Sequence, residues 1–241
     1  MSRVLLIGGA GKVATLILPD LVAHHEVHVF DRNPPADPTI AHTLGDVTDD
    51  VALRAACTGR DALLFLAMGG GGHWGSPENA AAHFDVSIKG LYLALGAAVS
   101  AGIRTVVLAS SMSVYKDIGS DRRYFVDEAL TPDADDAYGL SKRFGEEVAR
   151  AFCRRYPDMS IAALRLCLPT ADDDWKRLSQ PHIATAASDV ADAFLRALAT
   201  PLGGFEPFTI AGDYQQALVR LTRAKALLGW EPRARPEPVS S

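Results

Sequence analysis

Tyr138 and Lys142 stand four residues apart in the segment Tyr138-Gly139-Leu140-Ser141-Lys142, a spacing that puts both side chains on one face of a helix. A phenol is a poor base at neutral pH because its reference pKa is about 10. A neighbouring ammonium and a positively charged nicotinamide ring both favour its phenolate. Upstream, the apolar run 104–109 delivers Ser110-Ser111, and the C-terminal ends of strands are where open sheets gather ligands. Ser111 would orient a substrate oxygen there while Tyr138 takes its proton and hydride passes to the nicotinamide. Ser111, Tyr138 and Lys142 are therefore the candidate catalytic residues.

Chemistry of that kind needs a dinucleotide site, and the first residues supply one. The run Val4-Leu5-Leu6-Ile7 enters Gly8-Gly9-Ala10-Gly11-Lys12-Val13-Ala14. Gly8 permits a tight turn, Gly11 admits a pyrophosphate, and Ala14 allows close packing of helix on strand. The helix that follows presents its free N–H groups and positive dipole end to phosphates. A second strand, 26–30, ends in Asp31, where a carboxylate accepts from ribose hydroxyls and repels a 2'-phosphate. NAD is thus favoured over NADP, although Arg32 follows directly. In Gly45-Asp46-Val47, Asp46 reads equally as a cap on the adenine amino group and as a turn or N-cap aspartate. Lys12, Val13, Val47, Leu66 and Ala67, with Tyr138 and Lys142, complete the expected cofactor groove. The run Gly69-Gly70-Gly71-Gly72-His73-Trp74 reads either as a flexible loop or as a glycine-hinged flap that closes Trp74 over a substrate.

These residues must be held by alternating strands and helices. Apolar runs at 3–7, 26–30, 62–67, 104–109 and 161–166 read as strands. Helical patterns at 12–23, 50–57, 79–101 and 137–155 lie between them. That order predicts an α/β fold, a Rossmann-type doubly wound parallel sheet with a small C-terminal substrate-binding element. Pro19 predicts a kink or an early end in the first helix. Residues 167–188 read as a long loop, followed by a helix at 188–199, a strand at 205–210 and a helix near 215–228. The expected organisation is a nucleotide-binding domain at 1–166, a small substrate-binding region at 167–230 and a frayed tail at 231–241.

Composition narrows the function classes. A chain of 241 residues, 48% of them hydrophobic, can bury one substantial core. Its net charge of −5 and pI near 5.8 argue against a nucleic-acid or anionic-membrane face, so a small-molecule partner is expected. Cys57, Cys153 and Cys167 have no metal-ligand spacing and fit reduced thiols in a cytoplasmic protein with no metal. The apolar run at the N-terminus is too short for a signal peptide, and nothing approaches the roughly 20 apolar residues of a membrane span.

In its glycine turn, its serine strand end and its Tyr-x-x-x-Lys segment, the chain resembles the extended branch of the short-chain dehydrogenase/reductase superfamily, the NAD-dependent epimerases, dehydratases and dehydrogenases. Arg165-Leu166, Asp189-Val190-Ala191 and Leu228-Gly229-Trp230-Glu231-Pro232 extend the resemblance over nearly the whole chain. Gly90-Leu91-Tyr92, the segment Tyr138 through Glu146, and the abbreviated stretch from Leu166 through Ser179 are similar to the compact uronate dehydrogenases. That resemblance implies an NAD-dependent oxidoreductase of a small sugar or sugar acid, with Ser111, Tyr138 and Lys142 in the catalytic roles. It implies substrate contacts from Gly69, Trp74, Ser111 and Met112, with Lys176 or Arg177 facing a uronate carboxylate. Ser87 stands where the family carries an asparagine, Met112 where uronate enzymes carry a polar residue, and Cys167-Leu168-Pro169 is more apolar than the family's loop. The resemblance also implies a homodimer through helices 79–101 and 137–155. A redox-neutral NAD-dependent epimerase and, from a different class, a nucleotide-sensing regulatory protein on the same fold are the competing readings.

Overall fold

Side chains alternate across a strand, so Val4 and Leu6 face one side of the sheet while Leu5 and Ile7 face the other, and all four are buried. The same double burial recurs along β4 (Ala62–Phe65) and β6 (Ser160–Leu166), in which every residue is buried. Strands that are apolar on both faces must be covered on both, and helices do this here. A computed structural model describes residues 1–70, 75–116, 127–178 and 183–235. It contains β1 (Arg3–Ile7), β2 (Glu26–Asp31), β3 (His42–Leu44), β5 (Thr105–Ser111) and β9 (Phe205–Ile210), which join β4 and β6 in one parallel sheet of order β3-β2-β1-β4-β5-β6-β9. Helices α1 (Lys12–His24) and α7 (Ala187–Ala199) pack on the face of Val4 and Leu6. Helices α2 (Asp50–Cys57), α4 (Leu91–Ser100) and α5 (Ala137–Arg155) cover the face of Leu5 and Ile7. The doubly wound fold expected from the sequence is the fold observed.

Strand order reverses between β1 and β4, which opens a crevice outside their C-terminal ends. Both the glycine turn after β1 and the serine pair ending β5 point toward that edge. Among the described residues no helix is long and apolar enough to cross a membrane.

Three local expectations are corrected and one is refined. Helix α1 runs unbroken through Pro19, because the proline lies on the exposed face and the buried residues Ala14, Ile17, Leu18 and Leu21 hold the helix to the sheet. The helix expected at 79–101 is present but not regular: a short α3 (Ala80–Phe84), a π-helical turn over Asp85–Gly90 and α4 follow one another with helical backbone angles at every junction. The supposed long loop contains paired strands β7 (Pro169–Thr170) and β8 (Thr185–Ala186) and a short α6 (Asp172–Lys176), anchored by buried Trp175, whose indole donates to the Ala184 carbonyl at 2.7 Å. The helical pattern at 215–228 is realised only at its end, because Asp213 accepts from the backbone N–H groups of Ala217, Leu218 and Val219 and holds a turn there.

The start of the expected tail is likewise held. Buried Trp230 donates to the Asp189 carbonyl at 2.9 Å, and the Asp189 carboxylate accepts from Arg233 N at 2.8 Å and Ala234 N at 3.0 Å. Residues 236–241 lie outside the described residues.

Pro19 withholds one helical hydrogen bond from α1 without a packing role that requires it. Pro19→Ala is expected to stabilise the fold by about 1–3 kcal/mol, read as a higher midpoint in urea unfolding.

Candidate active site

The turn after β1 begins at Gly8, which sits at φ +87. A Cβ added at Gly8 would lie 2.3 Å from the Ala67 backbone nitrogen, so only glycine lets the turn pass the end of β4. The turn is held closed by Gly11 N donating to Gly8 O at 3.3 Å and Gly8 N donating to Phe30 O at 3.0 Å. Asp31 braces it from β2, accepting from Ala10 N and from Asn33 N, each at 3.0 Å. Gly11 caps α1 without any side-chain hydrogen bond. The first N–H groups of a 13-residue helix therefore face the crevice without a side-chain cap, as an anion site requires.

Helix α5 is started by Asp136, whose carboxylate accepts from Tyr138 N and Gly139 N at 3.0 Å each. A Cβ at Gly139 would lie 2.4 Å from Ser113 O. The absence of a side chain at that position is what lets the first turn of α5 press against the 3-10 turn Met112–Val114. This approach joins Tyr138 to Ser111 by a side-chain hydrogen bond. Ser111 Oγ also accepts from Ser113 N at 3.0 Å. Burial pushes the Tyr138 phenol above its ordinary value, and the Ser111 bond opposes that rise. Burial also lowers Lys142 to about 8, with the Glu146 carboxylate opposing the drop. The Lys142 ammonium donates to Ala109 O at 2.9 Å and lies 5.9 Å from the centre of the Tyr138 ring. His83 of α3 tilts against that ring with centroids 5.5 Å apart.

Behind these groups runs a buried polar chain that the sequence reading did not single out. Glu146 and Arg165 are each 1% exposed. Arg165 donates through Nε to Glu146 Oε1 at 2.9 Å and through Nη2 to Oε2 at 2.6 Å. Ser110 donates to Glu146 Oε1 at 2.6 Å. Arg165 also donates to the Tyr115 hydroxyl, which donates in turn to Asp127 O at 2.8 Å. Arg165 is inside β6, as the strand expected at 161–166 implies. Its signal in the sequence was a charged residue in an otherwise apolar strand.

A cavity of about 610 Å³ joins the glycine turn to the serine–tyrosine–lysine cluster. All the expected cofactor residues line it: Gly8, Gly11, Lys12, Val13, Asp31, Arg32, Asp46, Val47, Leu66, Ala67, Tyr138 and Lys142. Ser111 and Met112 line it too. Gly69 does not, because it is packed so closely on α3 that a Cβ would lie 1.7 Å from Ala82 O; Gly70, at φ +76, takes the lining position. Lys176 and Arg177 are exposed around the end of α6 and are not among the lining residues. Trp74, with 71–73, lies outside the described residues. Asp46 accepts from the Thr48 N–H and hydroxyl, both at 2.8 Å, and these bonds hold its carboxyl below the usual range. Ser87 is buried in the π-helical turn, and its hydroxyl meets no hydrogen-bond partner among the described residues.

Lining residues not anticipated include Asn33, Val86, Thr170 and Ile183. Thr170 follows the end of β6 and could have been inferred from the strand-end rule. Val86 could not, since its place depends on the π-helical turn.

The family model described as "NAD dependent epimerase/dehydratase family" matches residues 4–173. A 4-epimerase of Escherichia coli O157:H7 acting on an N-acetyl-glucosaminyl-diphospho-undecaprenol is 29% identical over 165 residues, which is 68% of this chain and 48% of that protein, so the match spans about half of the relative's length. The L-arabinose 1-dehydrogenase (NAD(P)(+)) of Haloferax volcanii is 28% identical over 197 residues, covering 75% of this chain and 72% of that one. Among solved structures, the uronate dehydrogenase from Agrobacterium tumefaciens superposes with a TM-score of 0.79 at 24% identity, over 97% of this chain and 85% of its own, a likeness of fold.

Glu146→Gln leaves the Arg165 cation buried without a counter-ion. It is expected to cost about 3–5 kcal/mol in denaturant unfolding, and adding Arg165→Met is expected to recover about half of that. Because the Glu146 carboxylate favours the charged ammonium, its loss is expected to make Lys142 release its proton below about 8, read by side-chain NMR titration of the lysine.

Proposed function

The chain belongs to the NAD dependent epimerase/dehydratase family, and from that premise we propose that it is an NAD-dependent dehydrogenase acting on a hydroxyl of a small sugar or sugar acid, with Tyr138 as general base. The observation that carries this reading is the single cavity in which the Tyr138 hydroxyl, bonded to Ser111 and near Lys142, opens onto the glycine turn and Asp31. The cofactor fits the residues present: Gly8 and Gly11 leave room for a pyrophosphate, the N-terminus of α1 faces it, and Asp31 stands at the ribose position.

When bound, the nicotinamide supplies the hydride acceptor and a positive charge beside the phenol. The protein's own groups do the rest. Ser111 donates to the substrate oxygen and fixes its direction. Tyr138, held protonated by burial in the resting protein, would lose its proton to solvent when a positive charge lies near it, and the resulting phenolate would take the proton of the substrate hydroxyl. Lys142, fixed to Ala109 O, holds its ammonium near the ring, with the Glu146 carboxylate opposing the burial that favours loss of its proton. Asp31 disfavours the 2'-phosphate of NADP.

A second reading, redox-neutral epimerisation with NAD retained, draws support from the Escherichia coli relative. Net NADH release separates the two. We also assign a homodimer through residues 79–101 and α5, supported by Tyr92 and Phe144, exposed at 59% and 44% on those helices; light scattering at the mass of two chains checks it.

With purified protein, NAD and a panel of sugars and sugar acids, absorbance of NADH is expected with at least one compound, and NAD is expected to exceed NADP by at least about tenfold in kcat/KM. Tyr138→Phe is expected to lower kcat at least about a hundredfold while NAD affinity stays within threefold or so. Full turnover by the phenylalanine variant would overturn the assignment of the base.

A further inference from the structure

After β6 the chain turns through Cys167 and Leu168 into β7. Leu168 stands at φ +43, a left-handed conformation in which a Cβ crowds its own backbone. The strain is held in place on every side. Cys167 N donates to Ile210 O at 2.9 Å, and Thr185 N reaches Cys167 O at 3.1 Å and Leu168 O at 3.3 Å. Thr170 Oγ1 donates to Leu168 O at 2.8 Å. A strained residue so firmly fixed usually marks a functional position. The outcome is a leucine 62% exposed that lines the reaction cavity.

Among the described residues its neighbours in the cavity lining are uncharged. Met112, Cys167, Pro169 and Ile183 line the cavity together with Thr170, whose hydroxyl is committed to Leu168 O. Burial pushes the Cys167 thiol up to about 12, so it remains a neutral, weakly polar surface. The charged side chains that line the cavity among the described residues are Lys12, Asp31, Arg32 and Asp46 at the glycine turn, and Lys142, which is committed to Ala109 O. None of them comes from the β6–β7 side. A carboxylate or phosphate seated there would lose water without gaining a counter-charge from that wall. The C–H face of a sugar ring would instead cover the leucine and remove apolar surface from water.

We propose that Leu168 is a specificity-determining residue that packs on the C–H face of the substrate, and that the wall it forms with Met112 and Ile183 selects a free, uncharged aldose over a uronate or a sugar phosphate. The inference rests on the dehydrogenase reading above.

The test uses the full chain with NAD and three sets of compounds: free aldoses, the matching uronates, and the aldose 6-phosphates. Wild type is expected to favour an aldose by at least about tenfold in kcat/KM. Leu168→Gly relieves the backbone, so its melting temperature is expected to hold or rise, while KM for the aldose rises about tenfold with KM for NAD unchanged. Leu168→Arg is expected to narrow or reverse the preference over the uronate. Preference of wild type for a uronate or phosphate, or an unchanged aldose KM in Leu168→Gly, would overturn this inference and leave the dehydrogenase reading intact. NADH from none of the three sets would overturn the reading beneath it, and the inference with it.

Discussion

The ion pair between Glu146 and Arg165 is the constraint on which the geometry of the serine–tyrosine–lysine cluster depends. Both charges are out of water, an arrangement tolerable only when every polar atom is matched. The matching partners are Ser110 at the end of β5 and Tyr115 beyond the 3-10 turn. Satisfying one carboxylate therefore fixes the relative position of α5, β5 and β6. Ser111 follows Ser110 directly, and Lys142 precedes Glu146 by one helical turn. Ser111 and Lys142 thus take their register from a pair that is not among the residues lining the cavity.

Helix α5 carries this arrangement in steps of four residues. Tyr138 in its first turn meets Ser111, Lys142 in its second meets Ala109 O, and Glu146 in its third meets Ser110 and Arg165. Each contact falls on a different part of the β5 edge, so rotation of the helix would break all of them together. Asp136 and the missing Cβ of Gly139 set where the helix begins. The burial that lowers Lys142 and raises Tyr138 comes from the same close seating. Positioning and electrostatics are thus one effect of packing rather than two.

Much of this was legible in the sequence because it depends on local signals. The strands of the sheet announce themselves as short apolar runs, and the glycine turn and Tyr-x-x-x-Lys segment declare their spacing. Every cofactor residue inferred from those signals lines the cavity. What was not legible depends on contacts distant in sequence. Pro19 lacks a donor, yet the sheet-facing side of α1 keeps the helix whole. The π-helical turn at Asp85–Gly90 lies inside a run that reads as an ordinary helix. Lys176 and Arg177 are cations of the right type near the right strand, but Trp175 is buried against Ala184 and the two cations that follow it remain exposed. Gly69 reads as a hinge and serves as a packing contact with Ala82.

Arg165 and Leu168 are three residues apart and face opposite demands. Arg165 is bound into the strand by three hydrogen bonds to two partners, Glu146 and Tyr115, and shares Glu146 with Ser110, the neighbour of Ser111. Leu168 lies just past the last strand residue, where the backbone is pinned by β8 and β9 and the residue is largely exposed. A change at Leu168 alters the cavity wall without altering the register of α5 on β5. On the proposed reading, the fold separates the residues assigned to the reaction from the residue assigned to substrate choice by little more than the length of one turn. The buried pair, on the same reading, fixes the position of the serine–tyrosine–lysine cluster, and the chain is free to change immediately after it without disturbing that position.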